Sequence, residues 1–167
     1  MSKIRLSGIV RESIVDGPGI RYVIFSQGCP HRCKGCQNPQ TFDENGGYYE
    51  DTEKIIEDIK KNPLISGVTF SGGEPFLQAK IFSKLAKESH KMGLNVMSYT
   101  GYIFEDIISK FDEKPDWKEL IENIDILVDG PFDLSKKSLL LKFKGSENQR
   151  IIDVKKSLKN KEVILLY

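Results

Sequence analysis

Residues 68–92, VTFSGGEPFLQAKIFSKLAKESHKM, contain a short strand pattern, a glycine-rich loop and an amphipathic helix pattern. The β-branched and aromatic residues at the start predict a strand over 68–71. In the second half, apolar residues recur at helical spacing, which predicts a helix over 77–92 that ends at Gly93. This strand–loop–helix unit is the building block of an α/β fold.

The same alternation of strand and helix patterns continues on both sides of that unit. Strands are predicted over 22–26, 95–99, 125–128 and 163–166, with a weaker one over 139–143, and helices over 51–62, 103–111 and 117–123. Alternation of this kind predicts an α/β fold with a mostly parallel sheet and helices packed over it. With 167 residues, 39% of them hydrophobic, we expect a single domain spanning 1–167.

Three glycine-containing segments follow predicted strands and are the expected ligand-binding loops. They cover residues 27–37, 71–75 and 129–131. In parallel α/β folds, ligands bind where loops leave the carboxyl ends of the strands. We therefore expect the chemistry at one edge of the sheet.

Composition excludes several function classes. The 25 basic and 24 acidic residues give a net charge of +1, so there is no electrostatic case for a nucleic-acid or membrane-surface protein. No apolar run approaches about 18 residues, and charges at the N-terminus argue against a secretory signal. We expect a cytoplasmic protein whose cysteines remain reduced and free for metal binding or catalysis.

All three cysteines lie in the run CPHRCKGC, residues 29–36. Cys29, Cys33 and Cys36 have the spacing C-x3-C-x2-C, and the chain has no fourth cysteine. Thiolates favour zinc or iron–sulfur clusters, and three of them leave one metal position open to another ligand. A zinc site completed by His31 is the alternative, although His31 is only two residues from its neighbouring cysteines. A small iron–sulfur electron carrier is a further alternative.

The cysteine run resembles the signature of the radical S-adenosylmethionine (SAM) superfamily. In that superfamily, three cysteines hold three irons of a [4Fe-4S] cluster, and SAM chelates the fourth. The superfamily usually has an aromatic residue where Gly35 stands here. Gly35 fits one subgroup, the glycyl-radical-enzyme activases. The stretch DGPGIR at 16–21 also resembles that subgroup, and the similarity continues past the cysteines to Asn38.

The resemblance implies a set of cofactor-binding residues. Residues 71–75, SGGEP, are similar to the superfamily's GGE motif, whose backbone and carboxylate engage the methionyl amino group of SAM. On turn chemistry alone, this segment and 129–131 are also compatible with ordinary loops. By resemblance, the cluster ligands are Cys29, Cys33 and Cys36, and the residues next to SAM are Gly35, Cys36, Gln37, Gly72, Gly73, Glu74 and Asp129.

The segment GSENQR at 145–150 resembles the activating proteins of anaerobic ribonucleotide reductase. That resemblance implies a partial (β/α) barrel with helices on its outer face, and an activase that forms a glycyl radical on the reductase large subunit. It also implies a low-potential electron donor such as flavodoxin or ferredoxin. Activases of pyruvate formate-lyase share the pattern over 16–38 but are longer chains. From its residues alone, 145–150 is also compatible with a polar loop or helix cap.

Overall fold

A computed structural model describes residues 2–36, 38–138 and 140–166. Over these residues the chain forms one seven-stranded sheet and five α-helices. The strands are β1 (Lys3–Ser13), β2 (Arg21–Ser26), β3 (Tyr48–Asp51), β4 (Gly67–Gly72), β5 (Asn95–Tyr99), β6 (Ile126–Asp129) and β7 (Arg150–Asp153). The helices are α1 (Thr52–Lys60), α2 (Ala79–Lys91), α3 (Phe104–Ser109), α4 (Pro115–Glu122) and α5 (Val154–Asn160).

The strand order across the sheet is β3-β1-β2-β4-β5-β6-β7. The central strands β2, β4, β5 and β6 pair in parallel, whereas β1 and β7 pair antiparallel to their inner neighbours. Since β3 is antiparallel to β1, it runs in the same direction as the central strands. Five of the seven strands therefore point one way, which confirms the predicted α/β class with a mostly parallel sheet.

The main core lies between the helices and one face of the sheet. Each central strand contributes alternate residues to it, including Ile24, Phe70, Val96 and Leu127, all fully buried. The helices contribute their apolar stripes to the same core: Ile55 and Ile59 of α1, Phe82 and Leu85 of α2, Phe104 and Ile107 of α3, Leu120 and Ile121 of α4, and Val154 of α5. Because all helices pack on this face, the opposite face is left to loops.

The opposite face carries a smaller apolar cluster, formed by Met97, Ile126, Val128 and Ile151. The loop between β1 and β2 folds over this face, so close that a Cβ on Gly17 would lie 2.7 Å from the Met97 sulfur.

Arg21, at the start of β2, forms a hydrogen bond with that loop. Its buried guanidinium donates to the carbonyl oxygens of Pro18 and Val68 and to the Thr69 hydroxyl. Burial lowers the pKa of Arg21 to about 10. The glycine-rich stretch before the cysteine run is therefore fixed to the sheet by a buried cation.

The structure corrects the prediction at the C-terminal end. No strand is present over the described residues 140–143, because Phe143 has a φ of 64° and Leu140 is 96% exposed. The sheet is completed instead by β7 and followed by α5, which the sequence interpretation had not identified. The predicted strand over 163–166 is reduced to a single bridge between Leu165 and Ile152.

The remaining predicted strands and helices are confirmed, with ends that shift by at most two residues. The N-terminal strand β1 and the short β3 were not predicted. Within the described part of the chain, no helix is both long enough and apolar enough to cross a membrane.

Candidate functional site

The cysteine run forms the loop that leaves the carboxyl end of β2. Cys29, Cys33 and Cys36 are free thiols and all three are half-buried. The Cys36 amide donates to the Cys33 carbonyl at 3.1 Å, and the Asn38 amide donates to the Cys36 sulfur at 3.4 Å. The run therefore turns back on itself, and its sulfurs lie at the edge of the sheet where ligand chemistry was expected.

The three sulfurs do not form a closed metal site. Among residues 2–36, 38–138 and 140–166, no group of three or more His, Cys, Asp or Glu side chains is arranged to hold a metal ion. Burial raises the pKa of Cys29, while the backbone amides of His31 and Arg32 oppose that shift by stabilising the thiolate. The donor set itself, three soft sulfurs in one loop, fits an iron–sulfur cluster. Cluster ligation by these cysteines stays a prediction.

Backbone hydrogen bonds close the base of this loop. The Gly28 amide donates to the Thr41 carbonyl at 2.6 Å, and the Gln27 side chain donates to the carbonyl oxygens of Gln40 and Asp43. On the other side, the Gly28 carbonyl accepts from the Glu74 amide at 2.8 Å. The cysteine run is thereby attached at its base to the loop that follows β4.

Gly72 and Gly73 permit this close approach. Gly72 has a φ of 89°, and a Cβ there would lie 2.6 Å from the Ser26 nitrogen. A Cβ on Gly73 would lie 2.2 Å from the Gly28 carbonyl oxygen. Both glycines are thus needed for packing against the strand that carries the cysteine run, and their contact with SAM stays a prediction.

The Glu74 carboxylate is fully buried and satisfied by protein donors. Its Oε1 accepts from the Thr100 hydroxyl and the Gly101 amide, both at 2.8 Å, and lies 2.6 Å from Nε2 of His31. Its Oε2 accepts from the Phe76 amide at 3.1 Å. Since a carboxylate only accepts, Nε2 of His31 carries the ring proton in this hydrogen bond.

Sequence interpretation missed Thr100 and Gly101. The one signal for them was their position directly after the strand predicted over 95–99, at the same sheet edge as the other loops. The partnership of His31 with Glu74 joins residues 43 positions apart and left no local pattern.

Asp129 ends β6 and is bound by its own protein. Its buried carboxylate accepts from the Arg150 guanidinium at 3.0 Å and 2.5 Å, and from the Phe104 amide at 2.9 Å. Arg150 also pairs with Glu105, which lowers the pKa of the Glu105 carboxyl. The hydrogen bonds of Arg150 with Asp129 and then with Glu105 raise the pKa of the guanidinium. The proposed contact of Asp129 with SAM is not shown by this arrangement.

Residues 145–150 hold the loop that follows β6. Oε1 of the Gln149 side chain accepts from the amides of Gly145 and Ser146, and Nε2 of the same side chain donates to the Gly130 carbonyl. The Asn148 side chain donates to the Pro131 carbonyl at 2.8 Å. This segment is therefore a clasp on residues 130–136.

The clasped loop reaches the cysteine run through Leu134. Gly35 has a φ of 74°, and a Cβ there would lie 2.8 Å from Leu134 Cδ1. A cleft of about 540 Å³ lies beside this contact and is lined by Lys34, Phe132 and Ser135, among others. Gln37, also predicted to contact the cofactor, lies outside the described residues.

Comparison with known proteins points to one family. Residues 15–152 match a family described as a 4Fe-4S single cluster domain. The anaerobic ribonucleoside-triphosphate reductase-activating protein of Vibrio cholerae is 32% identical over 146 residues, which are 83% of this chain and 90% of the relative. The chain belongs to the family of anaerobic ribonucleoside-triphosphate reductase-activating proteins. The reductase-activating protein of Salmonella typhimurium is 31% identical over 144 residues, with coverage of 81% and 90%.

The reductase-activating family has longer relatives. The pyruvate formate-lyase-activating enzyme of Clostridium pasteurianum is 36% identical over 117 residues, but these are 65% of this chain and 49% of that enzyme. A pyruvate formate-lyase 1-activating enzyme of Escherichia coli is 32% identical over 156 residues, or 60% of its length. The family resemblance predicted from the sequence is confirmed. The two reductase-activating relatives named above match this chain over 90% of their own length, compared with 49% and 60% for the two pyruvate formate-lyase-activating enzymes.

Proposed function

We propose that this chain activates anaerobic ribonucleotide reductase by forming a glycyl radical on its large subunit. The observation that carries the proposal is the alignment with reductase-activating proteins over about nine-tenths of the relative's length. A [4Fe-4S] cluster held by Cys29, Cys33 and Cys36 would supply the electron for reductive cleavage of SAM, and thereby the radical chemistry that removes hydrogen from a glycine Cα of the partner. A low-potential donor such as flavodoxin or ferredoxin is the proposed source of that electron.

Cys29, Cys33 and Cys36 are the proposed ligands of three irons. Their support is chemical and positional: they are free, half-buried and confined to one loop at the carboxyl edge of the central strands. Because the chain has only three cysteines, the fourth iron is left for SAM.

Residues of the neighbouring loops are the proposed SAM contacts. Since both oxygens of Glu74 already accept from protein donors, we assign contact with the methionyl amino group chiefly to the main chain of 72–74. Oδ1 of Asp129 accepts from Arg150 and retains a lone pair for a ribose hydroxyl. Gly35, Cys36 and Gln37 are proposed to border the cofactor from the side of the run.

The proposed architecture is a partial (β/α) barrel of the radical SAM type, formed by residues 1–167 as a single domain. It is supported by the sequential order of the parallel strands β2, β4, β5 and β6 and by the location of every described helix on one face. The loop-covered face, with Met97 and Val128, is then the inside of the partial barrel.

Activation of pyruvate formate-lyase is the second candidate. The 36% identity to the Clostridium pasteurianum enzyme favours it, whereas the 49% coverage of that enzyme does not. Both proposed functions would use the same cluster and SAM residues of this chain, so only the identity of the partner protein distinguishes them.

The test of the cofactor chemistry is anaerobic reconstitution with iron and sulfide, followed by electron paramagnetic resonance (EPR) spectroscopy with and without SAM. We expect the reduced cluster signal to change when SAM is added, and 5′-deoxyadenosine and methionine to form. Cys33→Ser should lower the iron content, whereas Lys34→Ala, at an exposed position in the same run, should behave like the wild type. A cluster signal that does not change when SAM is added would instead indicate an electron carrier. Zinc bound in place of iron would indicate a zinc-binding structural module.

A further inference from the structure

His31 differs from the other residues between the cysteines. Pro30, Arg32, Lys34 and Gly35 are all exposed, whereas His31 is half-buried like the three thiols. Only 16% of its side chain is exposed. A half-buried imidazole needs hydrogen-bond partners to replace water, and His31 has contacts of that kind with the protein.

Three contacts hold the imidazole ring. Nε2 donates to Oε1 of Glu74 at 2.6 Å. The His31 and Tyr102 rings pack edge to face, with their centroids 4.5 Å apart and an interplanar angle of 76°. The ring also lies against the backbone of Gly101, where an added Cβ would meet Cδ2 at 2.3 Å. The absence of a side chain at Gly101 makes room for His31.

The partner of His31 is itself immobilised. The Glu74 carboxylate is fully buried and is held by the Thr100 hydroxyl, the Gly101 amide and the Phe76 amide. These donors lie in the segments that follow β4 and β5, which are adjacent parallel strands. Glu74 is therefore a fixed point of the sheet edge, and a hydrogen bond to it fixes the position of its donor.

The rest of the run has little else to hold it. Among the described residues, the bond from His31 to Glu74 is the only hydrogen bond that joins 29–36 to a residue outside 27–43. Gly35 adds an apolar contact with Leu134, and Arg32 lies 5.7 Å from the Phe42 ring centroid. The middle of the run, between Cys29 and Cys33, thus depends on the imidazole.

We propose that His31 is a positioning residue that holds the cysteine run against the carboxyl edge of the sheet through Glu74. Its ring fixes the path of the chain between Cys29 and Cys33. The assignment rests on the proposed function only where it concerns cluster binding, because the anchoring contact belongs to the protein itself.

The other histidine supplies a matched control. His90 also pairs with a carboxylate, Asp125, at 2.8 Å, but it lies on α2, away from the run. His31→Ala and His90→Ala therefore each remove one histidine–carboxylate bond. Only the first should alter the cysteines.

The experiment measures alkylation of each cysteine in metal-free protein at fixed pH, with mass spectrometry of the peptides. Loss of the anchor should speed modification of Cys29 and Cys33 about tenfold in His31→Ala, while His90→Ala keeps the wild-type rates. His31→Gln, whose amide can donate to Glu74, should restore slow modification. Iron retained after reconstitution and desalting should follow the same order.

The unfolding midpoint in urea and the emission of buried Trp117 establish that each variant is folded. Wild-type alkylation rates in folded His31→Ala would overturn the proposal. If His31→Ala does not fold, His31→Gln decides: slow modification in a folded protein supports the anchor, and fast modification overturns it. A wild-type chain that binds no iron would instead refute the proposed function, and the alkylation rates would still test the anchor.

Discussion

At the scale of single residues, glycine geometry explains how two loops of the site come together. Gly72 and Gly73 let the end of β4 pass within van der Waals distance of Ser26 and Gly28, the residues that precede the cysteine run. The same closeness lets the Glu74 amide reach the Gly28 carbonyl. The relative position of the cysteine run and the loop after β4 is thus set by the absence of two side chains.

Gly73→Ala should separate these loops. Its Cβ would lie 2.2 Å from the Gly28 carbonyl oxygen, so backbone must shift, at a cost of about 1–3 kcal/mol in the free energy of unfolding. Urea denaturation measures this loss, and reconstitution should show a lower iron content.

Gly8→Ala in β1 is the control for that substitution. An added Cβ meets nothing within 4 Å there, and alanine restricts the unfolded chain, so stability should change by less than about 1 kcal/mol. Equal stability and equal iron content in the two variants would refute this account of Gly73.

At the scale of elements, a partly buried ion pair connects the end of β6 with the start of β7. Arg150 of β7 binds Asp129 of β6 and also Glu105 of α3, and residues 145–149 clasp the loop that β6 leads into. Through Leu134 that loop supports Gly35 of the cysteine run. The C-terminal segment therefore acts on the site by fixing a loop.

Arg150→Ala should lower the stability of the fold by removing this ion pair. It leaves the Asp129 carboxylate, 1% exposed, with the Phe104 amide as its remaining donor. We expect a loss of about 2–3 kcal/mol in unfolding free energy, less than for a fully buried pair because the Arg150 side chain is 30% exposed.

Glu105→Gln removes the other partner of the same guanidinium and is the matched control. The Glu105 side chain is 59% exposed, so its loss should cost at most about 1 kcal/mol. Chemical denaturation of both variants measures the difference. Comparable losses in the two would show that burial of Asp129 is not what makes the pair important.

At the scale of the whole molecule, local patterns predicted the parallel centre of the sheet well. Strands such as β4 and helices such as α2 have strong periodicity, and the loops between them carry the glycines and cysteines of the site. The same patterns failed for β7: residues 139–143 look more apolar than 150–153, yet Phe143 takes a left-handed backbone and Leu140 faces solvent. Pairing with β6, a long-range contact, selects the strand instead.

The chemistry of the site was predictable in type but not in its internal contacts. Three cysteines without a fourth indicated a soft-metal site with an open position. No sequence pattern indicated that Glu74 would be enclosed by His31, Thr100 and Gly101, or that Asp129 would bind Arg150. These partners lie 21 to 43 residues apart and meet only because the carboxyl ends of the strands share one edge.

The most direct test of the central claim is EPR detection of a glycyl radical on a partner protein. The reconstituted chain is incubated anaerobically with SAM, a low-potential reductant and the large subunit of anaerobic ribonucleotide reductase, with pyruvate formate-lyase in a parallel sample. We predict a glycyl radical on the reductase that requires SAM, reductant and the three cysteines. No radical on the reductase, or a radical on pyruvate formate-lyase alone, would contradict the account.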